Sequence, residues 1–517
     1  MGVFFDNKDR KIIPRWRTSK QTLFNGELHP LKLANKNIEE GEDFFIAKVV
    51  DWEKNKSLLF ATDLISSALV LNRYEEAKEA AKFILSANSG ASSSAKDLAT
   101  KLLNPEKTVL SKAVENFEIE PQQQINIKIH NMRLRLRDEP RNSILWVDLA
   151  REYTSIGLLE KAKHIINIAT VLSPSNRFVL RSAARLYIHC NEIDQAHNLL
   201  IKSETIKQDP WLIAAEIAIS SILDRNSRLV KFANGILKND SVLPSQITEL
   251  ASAVASLELV SGNIRESRKL FRQALKHPTE NTIAQAQWAS RYINGLEFRV
   301  HYAQIANSFE AKAFTSYFEG NFQETVRQCW NWLYDQPFSS RPASLGSYVA
   351  TIGLEDYEEG RRIIQASLQA NPYEPLLLNN LAVILVNLNE IEEAEKVFSK
   401  INSTNLKPIA EVTFLATKGL IRYRQGLSEE GRYFYTKAIE KVEELKKSSK
   451  SNEDLYSNIK ALASLFFAQE EILTSSSKNN VVIEQLLESN KNLLDPCIVM
   501  LQERVRTLYR NKQLKNV

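Results

Sequence analysis

The chain has 517 residues, and its 67 basic and 62 acidic side chains leave a net charge of +5 with 44% apolar and 25% charged residues. That balance belongs to a folded chain rather than a disordered one, and no run approaches the ~18–20 apolar residues that a membrane span requires. The start, Met1-Gly2-Val3-Phe4-Phe5-Asp6, lacks a secretory apolar core, and Cys190, Cys329 and Cys497 form neither a CxxC pair nor a disulfide framework, so the expectation is a reduced, soluble, cytoplasmic protein.

Residues 1–40 combine Phe4, Phe5, Trp16 and Phe24 with Lys8, Arg10, Lys11, Arg15, Arg17 and Lys20, without a sustained helical period. They read as an arm. It either packs on the first repeats or docks into a partner or a neighbouring copy of the chain.

From there the prolines carry the organisation. Pro105, Pro140, Pro174, Pro210, Pro244 and Pro278 follow one another at 34–36 residues, and Pro337, Pro372 and Pro408 resume that spacing. A recurring proline marks a recurring helix stop, because its ring removes a donor and clashes with the preceding turn. Between two of these stops, Trp146, Leu149, Ala150 and Tyr153 fall at i, i+3, i+4 and i+7, one face of a helix. Gly157 suits the turn that follows. Ala162, Ile166 and Ala169 then form a second face, with small residues where two helices approach closely.

This 34-residue pattern resembles the tetratricopeptide repeat. Weaker copies include Asn72–Ala77, Leu180 with Ala184, Tyr187 and Ala196, and Gly262-Asn263-Ile264 with Phe271 and Ala274. Others are Gly320-Asn321-Phe322, Glu355–Glu359, Leu381 to Phe398, and Gly426–Glu430 with Tyr435 and Ala438. The resemblance covers roughly residues 58–440 and implies an all-α, right-handed solenoid of helical hairpins, because one hairpin cannot bury its own face.

The expected layout is a non-repeat arm (1–40), an N-terminal array (41–278), an irregular repeat or hinge (279–336), a C-terminal array (337–447) and C-terminal capping helices (448–517). The irregular stretch follows from the 59 residues between Pro278 and Pro337. There Asn281–Ala289 reads as a first helix, and Asn294–Phe298 supplies no normal second one.

Motifs for chemistry are missing. The chain contains no Gly-x-Gly, Gly-Lys, His-Glu-x-x-His or Gly-x-Ser-x-Gly. His189, Cys190 and His197 fall on two helices of one hairpin and lack a fourth zinc ligand. Glu75-Glu76, Glu358-Glu359 and Glu392-Glu393 open second helices, where they complement the helix dipole. The expectation is a non-enzyme with no cofactor and no metal.

In such a solenoid the first helices line the concave face, where the resemblance places partner binding. In register, Arg151, Arg181 and Arg185 fall on that face as candidates for an acidic protein or peptide partner. Phe314, Tyr317 and Phe318 are candidate anchors for a partner side chain, with Trp330 and Trp332 on the next helix. Asn379 resembles one element of the clamp by which some family members grip a C-terminal carboxylate. The clamp's other positions hold Val147, Arg151, Leu345, Val349, Thr413 and Thr417, so that function is not expected. The reading is a non-catalytic scaffold or adaptor for protein partners. The alternative is a nucleic-acid-binding accessory factor using the basic arm, Arg133-Leu134-Arg135-Leu136-Arg137 and the tail with Arg504, Arg506, Arg510, Lys512 and Lys515.

Overall fold

The structure, a computed structural model, describes residues 15–17, 19, 39–71, 73–86, 91, 93–103, 122–239, 242–302, 305, 307–402, 408–448, 453–474, 480–488 and 495–515. Regular structure among the described residues is entirely helical, with 25 α-helices. Apart from the turn at 155–157, the described residues divide into one compact unit before residue 309 and a second from Phe309 onward.

The first unit opens with α1 (Glu39–Lys54), α2 (Leu58–Leu71), α3 (Lys78–Ser86) and α4 (Ser93–Leu103). They share a core of Phe45, Trp52, Leu64, Ile65, Ile84 and Leu102, and Ala61, Ala68, Ala80 and Ala81 keep the helices close. After α5 (Gln122–Asp138) come four hairpins: α6 (Ser143–Ser155) with α7 (Leu159–Leu172), α8 (Arg177–His189) with α9 (Ile193–Ile201), α10 (Pro210–Ile222) with α11 (Val230–Leu237), and α12 (Pro244–Val260) with α13 (Ile264–Ala274). The unit ends on a lone first helix, α14 (Glu280–Ala289), followed by a 3-10 turn at Arg299–Tyr302 where a second helix would stand.

The prolines mark hairpin boundaries, but not all of them as stops. Pro174, Pro278, Pro337 and Pro372 lie between helices, whereas Pro210, Pro244 and Pro408 open one. A first-turn residue needs no N–H partner, so proline's missing donor costs nothing there. At Pro210 the start is fixed by Asp209, whose carboxylate accepts from the backbone N–H of Trp211 (2.9 Å) and Leu212 (3.3 Å). Inside each hairpin, one residue at the turn adopts the left-handed conformation. It is glycine at Gly157, Gly262, Gly320 and Gly426, with φ between +74° and +83°, and a side-chain-bearing residue at Asn191, Asp224, Glu355 and Asn389.

The second unit repeats the pattern: α15 (Phe309–Phe318) with α16 (Phe322–Asp335), α17 (Arg341–Tyr348) with α18 (Tyr357–Leu368), α19 (Pro375–Asn387) with α20 (Ile391–Ser399), and α21 (Pro408–Arg424) with α22 (Ser428–Ser448). α23 (Glu453–Thr474) and α24 (Asn480–Glu488) follow, and α25 (Pro496–Lys515) closes the chain. Close helix approach is bought by glycine: a Cβ at Gly431 would collide with the Tyr423 ring, and one at Gly419 would stand 2.8 Å from the Tyr435 ring. α17 runs into a π-helical turn at Val349–Gly353. Within each unit, the described residues form an all-α array of two-helix elements laid in series so that each covers its neighbour.

Candidate functional site

First helices in the first unit are buried almost all round. Every residue from Pro210 to Ser220 of α10, from Gln246 to Ala255 of α12 and from Asn281 to Ala289 of α14 is buried. Packing on second helices accounts for one face only. The opposite, inner face is closed by a polar network and by a piece of the chain's own N-terminus.

The network begins at Arg177 of α8, whose guanidinium is fully buried, bonds Asp209 through Nε (2.7 and 2.9 Å) and lies over the Trp211 ring. One turn later, Arg181 lies over the same indole, 4.7 Å from the ring centroid, and pairs with Glu249 of α12 at 3.3 Å. Glu249 also accepts from Thr279 Oγ1 (2.6 Å) and Asn281 Nδ2 (3.4 Å). A planar guanidinium can stack flat on a ring face while its fork of N–H donors reaches a carboxylate.

Into this face runs the segment Arg15–Ser19. Arg15 Nε donates to Asn281 Oδ1 (2.9 Å), and Arg17 Nη1 pairs with Glu280 Oε1 (2.9 Å), both on α14. Arg151 Nε of α6 donates to the Trp16 carbonyl oxygen (3.1 Å) while its Nη1 pairs with Glu152 (3.1 Å). Ser19 donates its backbone N–H to Asp148 Oδ1 (2.8 Å) and its hydroxyl to Oδ2 (2.5 Å). Trp16 is wholly buried and Arg17 nearly so. Burial raises the Asp148 carboxyl to about 6, against the pull of the Ser19 hydrogen bonds and of Arg151.

The nominated arginines are thus engaged by the chain itself. Arg151 and Arg181 do not stand on an open face awaiting an acidic partner. They are 5% and 7% exposed, Arg151 paired with Glu152 of its own helix and Arg181 with Glu249 of α12. Arg185, one turn beyond Arg181, is half-buried.

In the second unit the first-helix face is covered by α25. Asp495, at the head of that helix, accepts from the Tyr317 hydroxyl of α15 (2.5 Å) and the Tyr348 hydroxyl of α17 (3.1 Å). The same carboxylate caps α25 by accepting from Ile498 N–H (3.1 Å). Further along, Arg504 donates to the Ile352 carbonyl in the π-helical turn and pairs with Glu355 (2.5 Å). At the far end Tyr509 donates to Glu484 of α24 (2.9 Å) and Lys512 to the Ile472 carbonyl of α23 (2.6 Å). Burial raises both tyrosine hydroxyls well above their ordinary value, with Asp495 adding to the effect.

Of the aromatic candidates, Phe314 and Tyr317 are buried, and Phe318 is 39% exposed against both of them. Trp330 and Trp332 lie in the core, with Trp330 Nε1 donating to Glu359 (2.5 Å). Asn379 is fully buried on α19, and neither side-chain atom finds a hydrogen-bond partner among the described residues.

Burial pushes the Cys190 thiol up to about 11 and raises Cys329 and Cys497 as well, so all three stay protonated at neutral pH. His197 sits 3.2 Å from Glu216 Oε1, itself held by Ser220 and Ser227. Among the described residues no cluster of three His, Cys, Asp or Glu could hold a metal, and no helix is long and apolar enough to cross a membrane.

The residues that sequence reasoning missed are the carboxylates: Asp148, Glu249, Glu280 and Asp495. Glu280 pairs with Arg17, a complement of charge that composition allows, but nothing local joins residues 263 positions apart, and the partners of the other three are a serine, tyrosines and an arginine in separate parts of the chain.

No protein-family model and no curated protein matches the sequence. Among solved structures, the chain is similar to yeast Tom70 (12% identity, 88% of this chain and 97% of that one, TM-score 0.34). It is similar to the anaphase-promoting-complex hetero-tetramer Cut9–Hcn1 (12% identity, 88% and 94% covered, TM-score 0.31). A tetratricopeptide repeat protein from Parabacteroides merdae is similar as well (14% identity, 62% and 97% covered, TM-score 0.24).

Proposed function

We propose that this chain is a non-catalytic scaffold that holds segments of protein partners against the inner faces of its two helical stacks. One observation carries the reading: helices α6 and α14 already grip Arg15, Trp16, Arg17 and Ser19 near the start of the sequence, through backbone groups, two arginines and a buried indole. The second stack holds a helix, α25, in the corresponding place. In this reading Arg151 and Arg181 fix the geometry of the first face, with Arg185 at its margin. Phe318, backed by Phe314 and Tyr317, offers a partly open ring on the second, and Asn379 adds an unsatisfied amide to the same array. The proposed setting is the cytoplasm, where free thiols at Cys190, Cys329 and Cys497 persist.

Cross-linking of the full chain to co-purified proteins tests this. Cross-links are expected on first-helix residues such as Arg185 and Phe318. Cross-links confined to second helices, or turnover by the purified chain, would overturn it.

A second reading rests on α5, where Arg133, Arg135 and Arg137 are all exposed and form no ion pair among the described residues. Three phosphate contacts there would give nucleic-acid binding that falls with salt, with a log–log slope of about −3. Absence of binding to labelled RNA and DNA at low salt removes this reading.

A further inference from the structure

We propose that the inner face of the first stack is a binding site for a short basic–aromatic segment of a partner protein, and that the stretch carrying Arg15, Trp16, Arg17 and Ser19 is the resident occupant which that segment displaces. The inference rests on the scaffold reading above and names the ligand chemistry of one face.

The face reads two things. Arg151 to the Trp16 carbonyl and Asp148 to the Ser19 N–H are backbone contacts, which any extended segment can make. The rest are side-chain contacts that select. Glu280 takes a guanidinium, Asn281 takes a second one two residues away, Asp148 takes a hydroxyl, and the space between them holds an indole with no exposed surface. The ligand pattern is therefore arginine, aromatic, arginine, then serine or threonine two residues on.

Charge points the same way. Asp148 is 4% exposed and Glu280 keeps 14% of its side chain in solvent, so an anionic or apolar occupant would leave these two carboxylates covered and uncompensated. Arg181 and Arg151 are already matched to Glu249 and Glu152. The net demand of the face is for cations. The arm meets that demand in cis, where tethering gives it a high effective concentration, so a partner segment in trans competes at a disadvantage until the arm leaves.

The test uses the full chain and a labelled peptide of residues 12–22. The peptide is expected to bind the variant Arg15→Ala/Trp16→Ala/Arg17→Ala with micromolar affinity and the unaltered chain at least about tenfold more weakly. Adding Glu280→Gln to the triple variant is expected to weaken the peptide by about tenfold. Equal binding to both chains, no binding to the folded triple variant, or indifference to Glu280→Gln overturns the inference. If the triple variant loses its helical circular dichroism, hydrogen exchange of the unaltered chain decides. Arm amides at 15–19 exchanging at least tenfold faster than those of α8 to α12 support displacement, and exchange in step with them overturns it. A partner cross-linked elsewhere on either stack keeps the scaffold reading standing even when the peptide result sinks this one.

Discussion

Arg177 and Asp209 illustrate what a single buried pair does here. Asp209 neutralises a guanidinium with no exposed surface and also caps α10, so one carboxylate serves two elements. Truncating it leaves a buried charge alone and removes a cap. Asp209→Ala is expected to lower stability by about 3–5 kcal/mol, read as a fall in the urea midpoint. Asp148 behaves differently. Its carboxyl titrates at about 6 in the folded chain against 3.8 as a free side chain, chiefly through burial, so folding disfavours the ionised form. Between those values the folded state binds more protons than the unfolded one, and stability therefore falls as pH rises from about 4 to 6. Arg151 and the Ser19 donors reduce the effect, and Glu152 adds to it. Asp148→Asn is expected to flatten this part of the pH profile, measured by urea titration at several pH values. None of these roles could be read from the sequence, because the 34-residue period assigns a residue to a helix and a face but not to a partner on a distant helix.

Elements were the most legible scale. The glycine at 157 and the small residues at 162 and 169 announced a hairpin, and α6 and α7 stand where that pattern put them. What the pattern obscured was its own substitutions: Asn389 occupies the left-handed turn position that Gly157 and Gly426 fill elsewhere, with φ of 65°. Asn389→Gly is expected to be neutral or stabilising, whereas Asn389→Val should cost about 1–2 kcal/mol, both checked by thermal unfolding. Helix contact in the second unit adds a sharper constraint. Gly431 faces the Tyr423 ring so closely that Gly431→Ala is expected to cost about 1–3 kcal/mol and to shift the ring's environment in near-ultraviolet circular dichroism. The terminal helices were expected as a cap. α23 packs on α21 and α22, but α25 turns back to Tyr317 and Tyr348, a contact with no sequence period to announce it.

For the molecule as a whole, each unit supplies its own cover from a chain terminus: Arg15–Ser19 in one and α25 in the other. Removing residues 495–517 is expected to strip two tyrosine hydroxyls of their acceptor and, by taking away Ile498, Leu501 and Val505, to uncover the core residues they pack against. Faster hydrogen exchange of α15 and α17 is the expected readout, and unchanged protection there would show that the helix is dispensable. The arm carries a consequence of another kind. Arg15 and Asn281 are separated by 266 positions, so the segment around Arg15 finds its seat only when α14 exists. At ribosomal speeds of roughly 5–20 residues per second, that wait lasts tens of seconds. For that interval Trp16 and its flanking arginines are a naked tag on a nascent chain, open to chaperones, and their disappearance from view would signal that α14 has been made.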